Sequence, residues 1–352
     1  MSKSKENHPY LDLGKESFWK SAVGDLNPLS LSGIYKKKFN IEKRDRIVTA
    51  GSCFAQHIAR KLKASGFNFC DYEAAPSVFP KHLHEKYNYG VYSARYCNIY
   101  TVRQLLQTFE RAFGERVPLE SEWSAEKGYY DPFRPLVEPN AFSTKEDLIA
   151  SRESHLRSVR NVFLKSDLFI FTLGLTEGWV SKVDGSVFPL CPGTVAGEFD
   201  STKYEFKNFS FQEIFDDLKL FVQKLRAVNP SVKILFTVSP VPLTATKSGE
   251  HIMVATMYSK SVLRAIAGQF ATEFDFIDYF PSYEIIAAPS MRGMFFEPNM
   301  RSVNHHGVDF VMSHFFKEHK PIFDEKVDKK RIELNEGHDV VCEEMLLEQG
   351  LL

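Results

Sequence analysis

The sequence predicts an α/β fold in which helices cover both faces of a parallel sheet. Four short runs rich in Ile, Val and Phe end near Gly, Ser or Pro, as buried parallel strands do. They cover residues 46–49, 167–173, 232–238 and 274–279. Helical patterns with apolar residues at 3.6-residue spacing alternate with these runs. They follow residue 53 and cover 214–225, 251–270 and 308–316. This alternation is typical of a sheet between two helical layers.

The length and composition predict one large domain with extensions at both ends. Apolar residues make up 43% of the 352 residues, and the 31 Phe predict a large packed core. We expect the domain to span 30–320, with an N-terminal extension at 1–29 and a charged C-terminal tail at 321–352. Residues 80–160 interrupt the strand–helix rhythm with long aromatic loops and one helix, which predicts an insertion or lid region. The charge runs after residue 323 predict a solvated appendage.

Charge and cysteine usage exclude several classes of partner. The 45 acidic and 44 basic residues nearly cancel, and there is no basic block, so we expect no nucleic-acid partner. The N-terminus lacks the apolar core of a signal peptide, and no stretch is long enough to span a membrane.

The five scattered cysteines form no CxxC pair, which favours a reducing cytoplasm over a disulfide framework or a zinc site. No phosphate-binding glycine motif occurs, and we expect neither a cofactor nor a metal.

The turn after the first predicted strand contains the most informative residues. Gly51, Ser52 and Cys53 lie where this strand gives way to a helix. Ser52 is either a helix N-cap or a nucleophile at a helix N-terminus, where free N–H groups stabilise an oxyanion. Cys53 is a rival nucleophile, because a helix N-terminus lowers the pKa of a thiol, or else a small buried apolar residue.

A family resemblance begins at the same turn. The motif "GSCFA" covers residues 51–55, and "GVYSARYCNIYTVRQLLQTFERAFGE", "FTLGLTEGW", "TVSPVPLTAT", "YFPSYEI" and "GVDFVMSHFF" follow in order. The chain resembles the GSCFA family from about residue 30 to about residue 320. That family is grouped with the SGNH (GDSL-like) hydrolases, which implies a three-layer, flavodoxin-like α/β/α domain. The resemblance also implies a serine esterase or O-acyltransferase that acts, through Ser52, on a small-molecule or carbohydrate acyl ester.

The resemblance further implies donors for an oxyanion. The backbone N–H of Ser52 is one. Gly90 matches the second SGNH block by its order along the chain, and Gly174, which follows the 167–173 strand, matches the third. That block normally supplies an asparagine side chain, but residues 175–177 are Leu, Thr and Glu. Gly174 is alternatively a turn glycine that needs a positive φ.

The general base is harder to assign. The Asp-x-x-His of the SGNH pattern aligns with Asn299 and Ser302, which lack its chemistry. His305 and His306 follow closely but also fit the cap and first turn of a helix. His251 begins another helix after the third strand, at the same sheet edge as Ser52. We rank His251 first as the base, then His305 and His306 equally.

Other residues are candidates for orienting the catalytic imidazole or for binding the substrate. Glu177 and Asp278 follow strands and are able to orient an imidazole, although structural hydrogen bonding suits both equally. Ser239 and Asn299 are possible substrate-binding groups. Aromatic residues either form a platform for sugar rings or belong to the core; they are Tyr89, Tyr92, Tyr96, Trp123, Tyr129, Tyr130 and Trp179. The alternative to an enzyme is a non-catalytic member that binds a glycan or a protein.

Overall fold

Four parallel strands form the central sheet, in the order β1–β4–β8–β9. The structure is a computed structural model that describes residues 8–320 and 342–349. The four strands are β1 Ile47–Gly51, β4 Leu168–Leu173, β8 Lys233–Val238 and β9 Ile277–Tyr279. All four coincide with the predicted apolar runs, and β1 and β4 are buried along their whole length. The prediction of a parallel sheet is confirmed.

Helices pack on both faces of this sheet. Their bounds are α1 Phe54–Ala64, α2 Val102–Ala112, α3 Lys145–Lys165, α4 Phe211–Val228, α5 Ile252–Glu273, α6 Ser282–Ala287, α7 His305–Glu318 and α8 Leu346–Gln349. Helices α2 to α5 share one hydrophobic core with the sheet. Helices α1, α6 and α7 share the core on the opposite face. The predicted three-layer α/β/α architecture is therefore confirmed.

Two small antiparallel sheets lie outside the central one. They are built by β2 Trp123–Ala125 with β3 Gly128–Tyr130, and by β5 Glu177–Ser181, β6 Val187–Phe188 and β7 Tyr204–Asn208. The sequence predicted only a long aromatic loop where β2 and β3 pair. It also did not predict α3, a helix of 21 residues. Most of its residues are polar and only five are buried, so its apolar stripe is narrow.

Local caps explain where the helices beside the sheet begin. Thr101 accepts a hydrogen bond from the N–H of Gln104, whose side chain reaches back to the Thr101 backbone at the start of α2. Ser210 and Glu213 form the same reciprocal pair at α4. Such capping boxes satisfy two N–H groups that a helix end leaves free. Each cap fixes the position of the loop that precedes its helix.

We expect Gly51→Ala to destabilise the fold strongly. Gly51 has a φ of +134°, and a Cβ there would lie 2.4 Å from the Thr172 carbonyl oxygen. The strain and the clash together cost about 3 kcal/mol. The control is Gly185→Ala, because Gly185 also has a positive φ (+70°) but has nothing within 4 Å of its Cβ position. That variant loses about 1 kcal/mol. Urea unfolding of both measures the difference, and equal losses would contradict the claimed close approach.

Candidate active site

Ser52 lies in the turn between β1 and α1, at the carboxyl edge of the sheet. Its backbone N–H donates to the carbonyl of Thr172 on β4 (3.1 Å), and its carbonyl accepts from the N–H of Ala55 (2.9 Å). The N-cap residue of α1 is Cys53, which makes no side-chain capping bond. The Ser52 hydroxyl is therefore not the cap of this helix. Its N–H, expected to face an oxyanion, instead bonds to the neighbouring strand.

The Ser52 hydroxyl is buried and lies against Gly174. Ser52 is 3% exposed, and its Oγ has no hydrogen-bond partner among the described residues. A Cβ at Gly174 would lie 2.9 Å from the Ser52 Cβ and 2.9 Å from the Tyr100 carbonyl oxygen. Gly174 does not have a positive φ, so close approach rather than turn geometry requires a glycine here. Gly174 thus lies beside Ser52, where the sequence places it.

A buried lysine completes this group of residues. Lys260 on α5 is 1% exposed, and its Nζ donates to the Gly174 carbonyl (2.7 Å). Burial disfavours the ammonium form and lowers the pKa of Lys260 to about 8. Lys260 was not among the candidate residues that the sequence predicted. The available signal is that Lys260 falls on an apolar helical stripe, with Leu263 and Ala267 three and seven positions later.

Gly90 lies away from Ser52. Its carbonyl accepts a hydrogen bond from Lys63, near the C-terminal end of α1, whereas Ser52 precedes the N-terminal end of that helix. Gly90 has a φ of +71° and a structural role in a turn. From this position its N–H does not face an oxyanion formed at Ser52, because the length of α1 separates the two residues.

Asn98 supplies donors close to Ser52 instead. The Tyr92 hydroxyl lies within hydrogen-bond distance of both the Ser52 carbonyl (3.2 Å) and the Asn98 Oδ1. The backbone N–H and the side chain of Asn98 both hydrogen-bond to the carboxyl group of Glu343. An asparagine side chain and a main-chain amide therefore point at an oxygen-bearing group in this pocket. The resemblance implies an asparagine after β4, whereas Asn98 lies in the loop before α2.

The predicted histidines point into solvent. His251 is the exposed N-cap of α5, where its Nδ1 accepts from the N–H of Met253 (3.2 Å). His305 and His306 are exposed in the first turn of α7, with ring centroids 3.8 Å apart. No hydrogen bond or ring contact joins them to Ser52 within residues 8–320 and 342–349. His251 therefore caps one helix, and His305 and His306 lie in the first turn of another.

Asn299 and Ser302 form a hydrogen bond with each other at the positions where the SGNH pattern has the Asp and His of Asp-x-x-His. The Asn299 Nδ2 donates to the Ser302 Oγ (3.0 Å), and the Asn299 Oδ1 accepts from the N–H groups of Arg301 and Ser302 (2.9 Å each). The pair forms a tight turn just before α7. The turn projects the side chain of Arg301, which lies between them, toward the site.

Three other predicted residues occupy different environments. Glu177 accepts from the Thr246 hydroxyl (2.8 Å), and burial raises the pKa of its carboxyl. Ser239 is buried and accepts from the N–H of Val241 (3.3 Å), so it shapes the exit from β8. Asp278 accepts from the Tyr35 hydroxyl (2.9 Å), a structural contact in which no site residue takes part.

A cavity of about 310 Å³ is lined by Leu175, the residue after Gly174, but neither Gly174 nor Ser52 is among its lining residues. Six of the residues that line it come from three parts of the chain: Tyr100, then Leu175, Glu177 and Trp179, and then Glu344 and Leu347. Of the aromatic residues predicted as a sugar platform, Trp179 alone is among its lining residues. Tyr92, Tyr96, Trp123 and Tyr130 are buried in the hydrophobic cores, as the alternative interpretation expected.

The C-terminal segment, residues 342–347, packs against the neighbour of Ser52 and forms one side of this cavity. The thiol of Cys53, the residue after Ser52, donates a hydrogen bond to the Cys342 sulfur, and this bond, with the nearby Arg301 guanidinium, holds the pKa of Cys342 below its usual range. The Arg301 Nη2 lies 3.4 Å from the Cys342 sulfur. Glu344 and Leu347 form part of the cavity wall. The turn that carries Ser52 is thus covered by a segment that is distant in sequence.

The two glutamates of this segment are buried against the body of the domain. Glu343 is 1% exposed and Glu344 is 9% exposed. Burial, with the nearby Cys342 thiolate, raises the pKa of each carboxyl to about 8. The prediction of a solvated tail is therefore wrong for 342–347, because two carboxyl groups find polar partners in the pocket. The charge runs at 324–337 lie outside the described residues.

Cys53 does not have the character of a reactive thiol. Its hydrogen bond to Cys342 and its burial raise the pKa of the thiol well above the ordinary value. The neutral thiol is a weak nucleophile. Cys53 is therefore better described as a small buried residue than as a rival nucleophile.

Among residues 8–320 and 342–349, no three His, Cys, Asp or Glu side chains are grouped as ligands of one metal ion. None of the helices formed by these residues combines the length and the apolar character that crossing a bilayer requires.

Comparison with solved structures gives two distant likenesses. One is to a mutant acetyl esterase with an acetate ion, at 11% identity and a TM-score of 0.34, covering 82% of this chain and 97% of that one. The other is to a Streptococcus pneumonia protein described as a platelet activating factor, at 10% identity and a TM-score of 0.27, covering 49% of this chain and 66% of that one. Both TM-scores lie below 0.5, so neither contributes to an assignment of function.

Sequence comparison gives a family. No curated protein matches the chain. The profile of the GSCFA family matches residues 46–315, which include the Ser52 turn, Gly174, Lys260 and Arg301. This range covers more than half of the chain, and the protein therefore belongs to the GSCFA family.

Proposed function

We propose that this chain is a serine esterase or O-acyltransferase that acts on acyl esters, such as O-acetyl groups, of a glycan or glycoconjugate. One observation carries the proposal: the Ser52 hydroxyl has no hydrogen-bond partner among the described residues and lies against Gly174, whose carbonyl binds the buried Lys260. A buried hydroxyl without a partner costs free energy, and such atoms concentrate at functional sites. The position at the carboxyl edge of a parallel sheet is where α/β proteins bind ligands.

Lys260 is the proposed base. A lysine with a pKa near 8 is neutral in about one molecule in ten at pH 7, which is enough for general base catalysis. Its amine takes the Ser52 proton as the Oγ attacks the acyl carbonyl carbon. The resulting ammonium gives that proton to the leaving alcohol. Water or a sugar hydroxyl then gives a proton to Lys260 and takes the acyl group, and Ser52 regains its proton. Ser–Lys pairs are a known variant of the serine triad.

Asn98 and Gly174 are the proposed oxyanion donors. Asn98 directs its backbone N–H and its side chain at a carboxyl group in the pocket. Donors of this kind stabilise the negative charge that forms on the acyl oxygen during attack. Gly174 lies against Ser52 and keeps the role that the sequence suggested.

Catalysis requires the C-terminal segment to leave the site. With Cys342 against Cys53, an ester has no path to the Ser52 Oγ, which is closed in the described structure. The proposed enzyme therefore has a closed state, described here, and an open state in which residues 342–347 are displaced. Residues 342–347 dock through a few side chains, so we expect the local stability of this segment to be low. Low local stability is typical of the parts of a protein that move in function.

A non-catalytic binding protein is the second candidate. The observation that favours it is the hydrogen-bonded Asn299–Ser302 pair at the position of the SGNH Asp and His. In that case Ser52 and Lys260 hold a ligand without transferring an acyl group. The two candidates differ in turnover, which the next experiment measures.

Ser52→Ala abolishes ester hydrolysis if Ser52 is the nucleophile. The assay follows 4-nitrophenyl acetate with the full chain and with Cys342→Trp, a neutral substitution too large for the space between Cys53 and Arg301. We expect this open variant to be more active than the parent. Adding Ser52→Ala lowers its rate at least about 1000-fold. The control Ser313→Ala changes an exposed serine on α7 and keeps the rate. Equal turnover with and without Ser52 would exclude it as the nucleophile.

Activity of the open variant rises with pH as Lys260 loses its proton. While most Lys260 is protonated, each unit of pH upward increases the neutral amine about tenfold, and the rate levels off above the pKa of Lys260. Lys260→Met and Lys260→Arg both lose activity, because arginine stays charged. Initial rates of ester hydrolysis measured between pH 6 and pH 10 give the pH profile. If His251→Ala or the His305→Ala/His306→Ala pair loses activity while Lys260→Met retains it, a histidine is the base instead.

A further inference from the structure

The C-terminal segment puts two carboxyl groups into a polar site built by the body of the domain. Glu343 meets the Asn98 amide, the Asn98 side chain and the Cys97 thiol. Glu344 lies 3.6 Å from the Arg301 guanidinium. The partners of both carboxyl groups belong to the loop before α2 and the turn before α7. They are parts of the site around Ser52 rather than parts of the tail.

The tail fits this site imperfectly. The Glu343 Oε2 and the Arg301 Nε are buried atoms without a hydrogen-bond partner among the described residues. The raised pKa of both glutamates, about 8, also means that the docked segment holds them mainly in the neutral form at pH 7. Docking is favoured at low pH and weakens as the pH rises through 8, because ionised carboxylates are then held in a buried place. The segment is therefore a weak occupant that another molecule can displace.

Arg301 depends on the tail for its side-chain partners. Within the described residues, its guanidinium contacts the Cys342 sulfur at 3.4 Å and the Glu344 carboxyl at 3.6 Å. Its remaining hydrogen bond, to Asn299, uses the backbone N–H. The side chain of Arg301 is only 14% exposed. When the segment leaves, the Arg301 guanidinium loses both of these partners, and no carboxylate among the described residues of the body is paired with it.

We propose that residues 342–344 stand in for the substrate, and that this substrate is an O-acyl ester that also bears a carboxylate, bound by Arg301. The proposal rests on the proposed function of Ser52. A guanidinium pairs with a carboxylate through two parallel hydrogen bonds, and a partly buried cation without a partner is costly. The acyl oxygen takes the place of the Glu343 carboxyl at Asn98. The ligand carboxylate takes the place of Glu344. Acidic sugars with an esterified hydroxyl have this chemistry.

Two esters that differ only in a carboxylate test the substrate class. The open variant Cys342→Trp is assayed for acetate release from phenyl acetate and from 4-acetoxybenzoate. We expect kcat/KM to be about 10- to 100-fold higher for the carboxylated ester, the range for hydrogen bonds to charged groups. Arg301→Gln removes this preference, because it lowers kcat/KM far more for the carboxylated ester than for the neutral one. The control Arg292→Gln, an exposed arginine on the neighbouring loop, keeps the preference. Equal rates for both esters, unaffected by Arg301→Gln, would overturn the inference and leave the esterase intact.

Binding of the tail in trans tests the same site without turnover. A labelled synthetic peptide of residues 340–349 is titrated onto the open variant at pH 7, followed by fluorescence polarisation. We expect saturable binding that Arg301→Gln weakens about tenfold. If no ester is hydrolysed but the peptide binds in this way, the proposed esterase fails while the carboxylate site stands. If the peptide does not bind, or binds independently of Arg301, the stand-in role of the tail is wrong.

Discussion

The close approach of two chain segments at the carboxyl edge of the sheet is the constraint on which the site depends. The Ser52 turn meets β4 because Gly51 takes a φ of +134° and because neither Gly51 nor Gly174 carries a Cβ. Side chains at these positions would push Ser52 away from the Gly174 carbonyl that holds Lys260. Sites held by rigid elements keep their geometry better than sites on loops do. The proposed nucleophile, Ser52, and the proposed base, Lys260, are thus linked through main-chain atoms.

The second determinant of the site is a contact between residues far apart in the chain. Cys342 meets Cys53 and Arg301, and Glu344 meets Arg301, so that the segment closing the site also supplies the side-chain partners of this cation. The Ser52 hydroxyl has no partner among the described residues, and a small hydroxyl tolerates such isolation better than a charge would. In the proposed open state, displacement of this segment changes both the access to Ser52 and the electrostatics around Lys260. The proposed mechanism therefore couples access and chemistry in one movement.

Local patterns in the sequence were enough to predict the sheet and the position of Ser52. Each buried strand has its own apolar run, and a glycine lies at the carboxyl end of β1 and directly after β4, at the edge where both end. The proposed base, Lys260, was not predictable in this way. His251 lies at the correct edge of the sheet, but its side chain faces solvent, whereas Lys260 lies more than two turns further along α5 and faces inward. Docking of Cys342 depends on a contact across almost 290 positions, which no local pattern records.

The central claim is that Ser52 is a nucleophile closed by the C-terminal segment. The most direct measurement is covalent labelling by a fluorophosphonate, which reacts with activated serines, followed by mass spectrometric mapping of the modified residue. The account predicts a label on Ser52 that forms at least about ten times faster when residues 342–347 are displaced. It also predicts that substitution of Lys260 slows this labelling. A displaced segment with no label on Ser52, or with labels spread over other serines, would contradict the account.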